Sequence, residues 1–353
     1  MREYGSEHPA VILSDDYFES FNERGNCTWL RSGREALHLI ALNEKSSMHH
    51  PIILMPAYCC HSMVDPFLKA GWGVEFYPLN EDLTADVQIL YMLLLSKHPK
   101  AVLTMNFFGS ASTKEAVESV KAINHDCICI EDFSHCTFAL SSIFNPEVDY
   151  YVSSIRKSVG LCDGAVIVSK KPLDESWVQD EETDFSITRK DVQTIKWRYN
   201  YSQDGGSKTA FLNHLRMKES ELDAFEGVHR ITNYAKKQLA CLSGKEIALA
   251  RRVNMKHMLE LTDGKVESIP GIERCLEGAP FSFPILVGNR DEVQQKLAKR
   301  GVYAPVLWPI FDAARATCSV SARMADEMLS IPIDQRYNYD DIEDIAKIVL
   351  ETV

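Results

Sequence analysis

At 353 residues the chain exceeds the roughly 250–300 residues at which single hydrophobic cores stop growing, so a large core and two domains are expected. Hydrophobic residues at 45 % and charged residues at 25 % are ordinary globular values and argue against global disorder. The net charge of −12, from 38 basic and 50 acidic side chains, argues against a general nucleic-acid binder but leaves room for an anionic small molecule held by local amides.

Ten cysteines are present, but Cys59-Cys60 and Cys127-x-Cys129 lie in or beside apolar runs and read as buried thiols rather than a disulfide framework. The first residues, MREYGSEHPAVILSDDYFESF, lack a basic segment followed by an apolar one. The expected compartment is therefore the cytoplasm. No apolar run approaches the ~20 residues needed to cross a bilayer, and no long repeat or low-complexity tract stands out.

In chain order, residues 1–30 are mixed and are expected to lie across another part of the fold, with Trp29 as an anchor. A helix follows from Ser32-Gly33-Arg34 through EALHLIAL, where Leu37, Ile40 and Ala41 recur at helical spacing and Ser32 is the N-cap. A helix start with Ser and Gly presents free amides, an anion site, although an ordinary cap is the commoner reading of the tripeptide alone. PIILMP (51–56) reads as a strand, AYCCHSMVDPFLKAG as a loop and helix, and GVEFYPL (73–79) and AVLTMNFFG (101–109) as further strands, the last closed by Gly109. Ser112 with Glu115 three residues on predicts a capping box for the helix carrying Val117 and Val120.

Cys127–Ile130 and Tyr150–Val152 are short apolar runs suited to strands buried on both faces. The first leads to Glu131 and Asp132, the second to Ser153, Ser154, Arg156 and Lys157. GAVIVS (164–169) adds a strand, and the alternation predicts a mostly parallel, doubly wound sheet. Residues 170–206 are acidic and weakly periodic, an expected exposed excursion with a short helix near Val192–Tyr199. A helical pattern resumes at Glu219 and leads into a small α+β unit: FSFPILV, then DEVQQKLAKRG stopped by Gly301, then VYAPVLWP, then DDIEDIAKIVLETV. The expected division is a large domain over 1–235 and a small C-terminal domain over 236–353.

Ligands of open α/β sheets sit beyond the carboxyl ends of the strands, so Asp132 and Lys157 should face one crevice. An aspartate and a lysine meeting there suggest pyridoxal phosphate (PLP): the lysine bonds its carbonyl carbon and the aspartate pairs with its pyridinium nitrogen. Each residue also has a plainer reading. Ser154-x-x-Lys157 occurs in serine acyl-transfer enzymes, a lysine after a strand is commonly a surface cation, and Asp132 could cap a helix or pair with Arg156. His135 suits a core histidine or a cofactor contact equally. Neither His49-His50 nor the cysteine pairs complete a metal-ligand spacing.

The ordered set SGREAL (32–37), PAYCCHS (56–62), NFFG (106–109), EDFSH (131–135), SIRKSVGLCDGA (154–165) and LSIPID (329–334) resembles the DegT/DnrJ/EryC1/StrS family. These are fold-type I, PLP-dependent aminotransferases of nucleotide-sugar metabolism. The resemblance runs from about residue 30 to the C-terminus and fails over about 172–218. It implies an α/β fold with a mostly parallel central sheet and a smaller C-terminal α+β domain, and a homodimer. It matches Lys157 to the lysine that bonds the cofactor and shuttles protons, and Asp132 to the aspartate that keeps the ring nitrogen protonated. Gly33 and Arg34 fall where the family binds the cofactor phosphate, Ser134 and His135 under the ring, and Asn106 where many members have histidine.

Three departures accompany it. Cys60 occupies the position of the family's ring-stacking aromatic, with Tyr58 two residues earlier. Val152 stands where the phosphate-binding serine lies five residues before the lysine, so that Ser154 or Ser153 would substitute. The family's Asn-Tyr-Arg-Met segment, which reaches the neighbouring subunit's cofactor, has two rival matches, at Asn200 and Asn213. The implied activity is transfer of an amino group, from glutamate, to a nucleotide-linked keto sugar. Rival readings are a PLP enzyme acting on another keto or amino substrate, and a degenerate member that binds PLP or a sugar nucleotide without catalysis. Related sugar dehydratases replace the lysine with histidine, so Lys157 ranks dehydration below transamination.

Overall fold

The structure, a computed structural model, describes residues 3–5, 21–45, 50–180, 183–201 and 208–353. After the two-residue β1 (Tyr4–Gly5) come β2 (Asn26–Leu30), α1 (Gly33–Glu44), β3 (Ile52–Pro56), α2 (His61–Lys69), β4 (Gly73–Tyr77) and α3 (Val87–Lys97). They are followed by β5 (Ala101–Met105), α4 (Lys114–Ile123), β6 (Ile128–Asp132), the one-turn α5 (Leu140–Ile143), β7 (Tyr150–Ser153) and β8 (Ala165–Ser169). Strands β2 to β8 form one seven-stranded sheet in the order β2-β8-β7-β6-β5-β3-β4. β5, β7 and β8 are buried at every residue. Their unbroken apolar sequences follow from this, because a sheet covered on both faces leaves no wet side for alternation.

The pairs β3–β4, β3–β5, β5–β6 and β6–β7 are parallel, whereas β8 runs antiparallel to both β7 and β2. The mostly parallel sheet is as expected, with one reversed strand. A fully buried run reads the same in either direction, so GAVIVS carries no sign of its polarity. Part of the N-terminal segment closes the sheet edge instead of draping over it: Trp29 sits within β2 and stacks on Phe21, ring centroids 6.5 Å apart. β1 does reach across, pairing with residues 302–303. Residues 6–20 of that segment lie outside the described residues.

Helix α3 had no sequence expectation. Its apolar residues run around the whole circumference, with Tyr91, Met92 and Leu95 exposed, so no single stripe marks it. The capping box expected at Ser112 and Glu115 does not form. Thr113 is the N-cap, its hydroxyl donates to Glu131 Oε2 at 2.8 Å, and Glu115 is exposed.

The excursion after β8 holds more helix than expected. Beyond β9 (Val178–Gln179) lie α6 (Thr183–Tyr201) and α7 (Lys208–Asp223), then β10 (Val228–His229), which pairs with β9. The helical pattern read from Glu219 onward is broken at residues 224–232, after which Thr232 caps α8 (Asn233–Leu239) and Ser243 caps α9 (Gly244–Thr262). The C-terminal part comprises β11 (Phe283–Leu286), α10 (Arg290–Lys299), β12 (Val302–Tyr303), α11 (Asp312–Thr317), α12 (Ser319–Glu327), β13 (Met328–Ile331) and α13 (Tyr339–Leu350). β11 and β13 pair antiparallel, apart from the large sheet. All ten cysteines are free thiols and eight of them are buried, Cys27 and Cys241 being partly exposed.

Candidate active site

β3, β5, β6 and β7 run the same way, so their carboxyl ends share one edge of the sheet. β6 ends on Asp132. β7 leads through Ser153 and Ser154 into a single tight turn, Ile155–Lys157, that sets Lys157 beside it. Gly33, Cys60, Asp132, Ser134, Ser154 and Lys157 line one cavity of about 220 Å³. The structure thus brings together residues from four separate segments of the chain.

Hydrogen bonds tie the floor of this cavity. The Ser134 amide donates to Asp132 Oδ1 at 2.8 Å, and the Ser154 amide donates to Ser134 Oγ at 2.9 Å. Asp132 does not pair with Arg156, whose Nη1 lies 3.3 Å from Glu219 Oε1 instead. The start of α1 approaches Ser154 so closely that a Cβ at Gly33 would come within 3.0 Å of Ser154 Cβ. Ser32 caps this helix by accepting the Glu35 amide at 3.3 Å, while the Gly33 and Arg34 amides, in the first turn, have no intrahelical acceptor. First-turn amides facing a serine across a gap kept narrow by glycine form an anion cradle.

Not every expected residue joins it in the expected way. Arg34 offers only its amide, because its guanidinium donates to the Leu222 carbonyl and, at 2.6 Å, to Asp223 Oδ1. Of the two serine candidates, Ser154 lines the cavity, whereas Ser153 is fully buried with its hydroxyl 2.7 Å from Thr137 Oγ1. Of Tyr58 and Cys60, Cys60 lines the cavity, with Sγ 2.8 Å from Ser62 Oγ. Tyr58 is fully buried behind Trp308, ring centroids 5.4 Å apart. Asn106 lines a separate cavity of about 440 Å³ with Thr113 and Arg274, and is tied to the site through its backbone N–H, which donates to the Asp132 carbonyl at 3.3 Å. Asn213 is exposed on α7, and the side chain of Asn200 and His49 lie outside the described residues. No group of three His, Cys, Asp or Glu side chains that could hold a metal occurs among the described residues.

A second cavity, about 390 Å³, adjoins the first and shares Arg156, Lys157, Glu219 and Trp308 with it. Its other walls include His135, Phe281, Ser330 and Arg336. His135 stacks on Phe281 with ring centroids 4.5 Å apart and an interplanar angle of 3°, and its Nδ1 accepts the Phe108 amide at 3.3 Å. Nδ1 is thus the acceptor and Nε2 carries the proton. Burial, and then the charge of Lys157, hold His135 well below the usual imidazole range, so the ring is neutral. Burial pushes Glu131 up to about 8 against the Thr113 hydrogen bond, and the Asp132 charge adds to the rise. For Glu219 burial acts upward, but Arg156 and Arg189 draw the carboxyl down to about 2.

Trp308, Glu219, Leu222 and Asp223 are wall residues that the sequence reading missed. The only signal was indirect: Glu219, Leu222 and Asp223 begin where the family resemblance resumes, and Trp308 is an aromatic in an extended stretch between the final strands.

No family model matches the chain, and a search of curated proteins finds no match. Solved structures do. Helicobacter pylori PseC, an aminotransferase involved in the biosynthesis of pseudoaminic acid, superimposes with a TM-score of 0.68 at 15 % identity over 99 % of each chain. The putative sugar aminotransferase Spr1654 from Streptococcus pneumoniae, in its PMP form, does so with a TM-score of 0.67 at 11 % identity over 99 % of this chain and 97 % of its own. S. venezuelae DesV, in complex with a ketimine intermediate, gives 0.61 at 16 % identity over 97 % and 90 %. What the chain shares with these proteins is the fold, that of the fold-type I aminotransferases.

Proposed function

We propose that this chain, on that fold, is a PLP-dependent aminotransferase that moves an amino group, with glutamate as donor, to a keto sugar carried on a nucleotide. The observation that carries the reading is the meeting of Lys157 and Asp132 on a cavity that the Gly33–Ser154 cradle also lines. The residues fit the cofactor: first-turn amides and Ser154 for its phosphate, Asp132 for the ring nitrogen, Lys157 for the carbonyl carbon. When bound, PLP supplies an electron sink for the substrate carbon.

The chain's own residues do the rest. Asp132, steadied by the Ser134 amide, holds a proton on the ring nitrogen by charge pairing. The Lys157 amine takes and returns the proton at the substrate carbon. Trp308 and Cys60 wall the cavity, and neutral His135, on the adjoining cavity, is fixed by Phe281 and the Phe108 amide. The keto-sugar substrate is supported by the likeness to PseC, an aminotransferase involved in the biosynthesis of pseudoaminic acid, and to Spr1654, a putative sugar aminotransferase.

The reading includes a homodimer in which Asn200 or Asn213 reaches the other subunit's cofactor, a cytoplasmic location, and a division into residues 1–235 and 236–353. The separate β11–β13 pair supports that division. Among the described residues no helix is long and apolar enough to cross a membrane. A second reading, a protein that binds PLP or a sugar nucleotide without catalysis, is favoured by Cys60 at the stacking position.

Purified protein given PLP should develop the visible absorption band of the lysine-bound cofactor, and Lys157→Ala should abolish it. Protein that stays colourless sinks the proposal. A band without any half-reaction with glutamate, glutamine or alanine, and without sugar turnover, selects the second reading.

A further inference from the structure

Helix α7 begins in the stretch where the sequence resemblance fails, and its C-terminal turns form a wall of the site. Glu219 of α7 lines both cavities beside Lys157. Its carboxylate bridges two arginines: Arg189 Nη1 lies 2.7 Å from Oε1, Arg156 Nη1 3.3 Å from Oε1, and Arg156 Nη2 3.5 Å from Oε2.

Two features of this trio are unequal. The cations are the enclosed members, with side-chain exposures of 14 % for Arg156 and 1 % for Arg189, whereas Glu219 is 45 % exposed. A half-exposed carboxylate can turn into water at little cost, but a buried guanidinium cannot shed its charge and must keep an anion nearby. Arg156 is also incompletely satisfied. Its two contacts to Glu219 are longer than the 2.7–2.9 Å of a good charge-assisted bond, and its buried Nε has no acceptor among the described residues. A planar fork held this loosely suits a better-matched oxyanion, and a tetrahedral phosphoryl group offers three acceptor oxygens where a carboxylate offers two.

We propose that Arg156, which lines both cavities, forms a phosphoryl-anion subsite beside Lys157, occupied by Glu219 until the anion of a ligand displaces that carboxylate from it. The rest of α7 stays in place, since Arg34 ties its C-terminal end through the Leu222 carbonyl and Asp223. The movement is a side-chain swing of Glu219 towards solvent. The phosphoryl group could come from the cofactor or from a nucleotide-linked substrate. The subsite stands without the aminotransferase reading, but its biological occupant rests on it.

The test compares the full-length protein with Glu219→Gln by titration calorimetry, using inorganic phosphate, PLP against pyridoxal, and a nucleoside diphosphate added to PLP-saturated protein. Glu219→Gln removes the competing charge at nearly constant shape and should tighten phosphate about tenfold, the effect of about 1.4 kcal/mol. Tightening of PLP but not of pyridoxal assigns the subsite to the cofactor. Tightening of the diphosphate alone assigns it to the substrate. Should Glu219→Gln fail to fold, Glu219→Asp, which keeps the charge but cannot span both arginines, should still tighten phosphate measurably. Unchanged or weaker phosphate binding in the folded variants overturns the proposal and leaves Glu219 as a structural ion pair. Because phosphate needs neither Lys157 nor a visible band, failure of the subsite and failure of the aminotransferase reading give different results.

Discussion

The Ser154 amide donates to Ser134 Oγ at 2.9 Å, joining the residues just beyond β6 to the turn that carries Lys157. Both serines are buried, so removing the hydroxyl strands an amide that water cannot reach, at about 1–3 kcal/mol. Ser134→Ala should lower Tm and weaken PLP binding about tenfold, while Ser134→Thr keeps the acceptor and loses less. Thermal denaturation with PLP titration checks this, and an alanine variant that binds PLP as tightly as the parent would show the strut to be dispensable.

Gly33 is required by approach. A methyl group there would lie 3.0 Å from Ser154 Cβ and push the two walls of the cradle apart. Gly33→Ala should therefore weaken PLP at least about tenfold while leaving pyridoxal, which lacks the phosphate, unaffected. Alanine is the better helix former by about 0.5–1 kcal/mol, so Tm should change little. Equal losses for both ligands would place the effect elsewhere in the site.

Glu131 is a pH-dependent liability of the fold. Its folded carboxyl sits at about 8 against an ordinary 4.5, so the folded state binds the proton more tightly than the unfolded one. The contribution is fully present below about pH 4.5 and is lost as pH rises towards 8, where the unfolded chain ionises and the folded chain still does not. Glu131→Gln stays neutral and retains an oxygen for the Thr113 hydroxyl. Its Tm should thus fall less than that of the parent between pH 5 and 8, a gap of several degrees by calorimetry. Parallel Tm curves across that window would refute this assignment.

Arg251 ties Ser158, just after Lys157, to residues 280–281 and Gln335. Its guanidinium donates to the carbonyls of Ser158, Pro280 and Phe281 at 3.0 Å and to Gln335 Oε1 at 2.8 Å, and the side chain is only 2 % exposed. Arg251→Met leaves several buried acceptors unpaired and should cost at least about 3 kcal/mol. Since Phe281 stacks on His135, the variant should also alter the near-ultraviolet circular dichroism of the site. Urea denaturation that gives the parent stability would contradict this role.

The strands were legible because burial on both faces leaves a continuous apolar run, and the residue after such a run stands at the sheet edge where ligands bind. Asp132 and Lys157 could be placed this way, and Ser32 declared its cap by position. Helix α3 was not legible, since an apolar residue on every side removes the periodic stripe. The cap at Thr113 was misread because its hydroxyl has a buried glutamate to serve, 18 residues away in sequence.

By itself, then, the sequence determined the alternation of strand and helix and the edge at which Asp132 and Lys157 emerge, because these depend on local periodicity and burial. Only the tertiary structure decided which of Ser153 and Ser154, and which of Tyr58 and Cys60, lines the cavity, the diversion of the Arg34 guanidinium to α7, and the arrival of Glu219 and Trp308 at the site. Those outcomes depend on which side chains meet across tens to hundreds of residues, and neither composition nor spacing encodes such meetings.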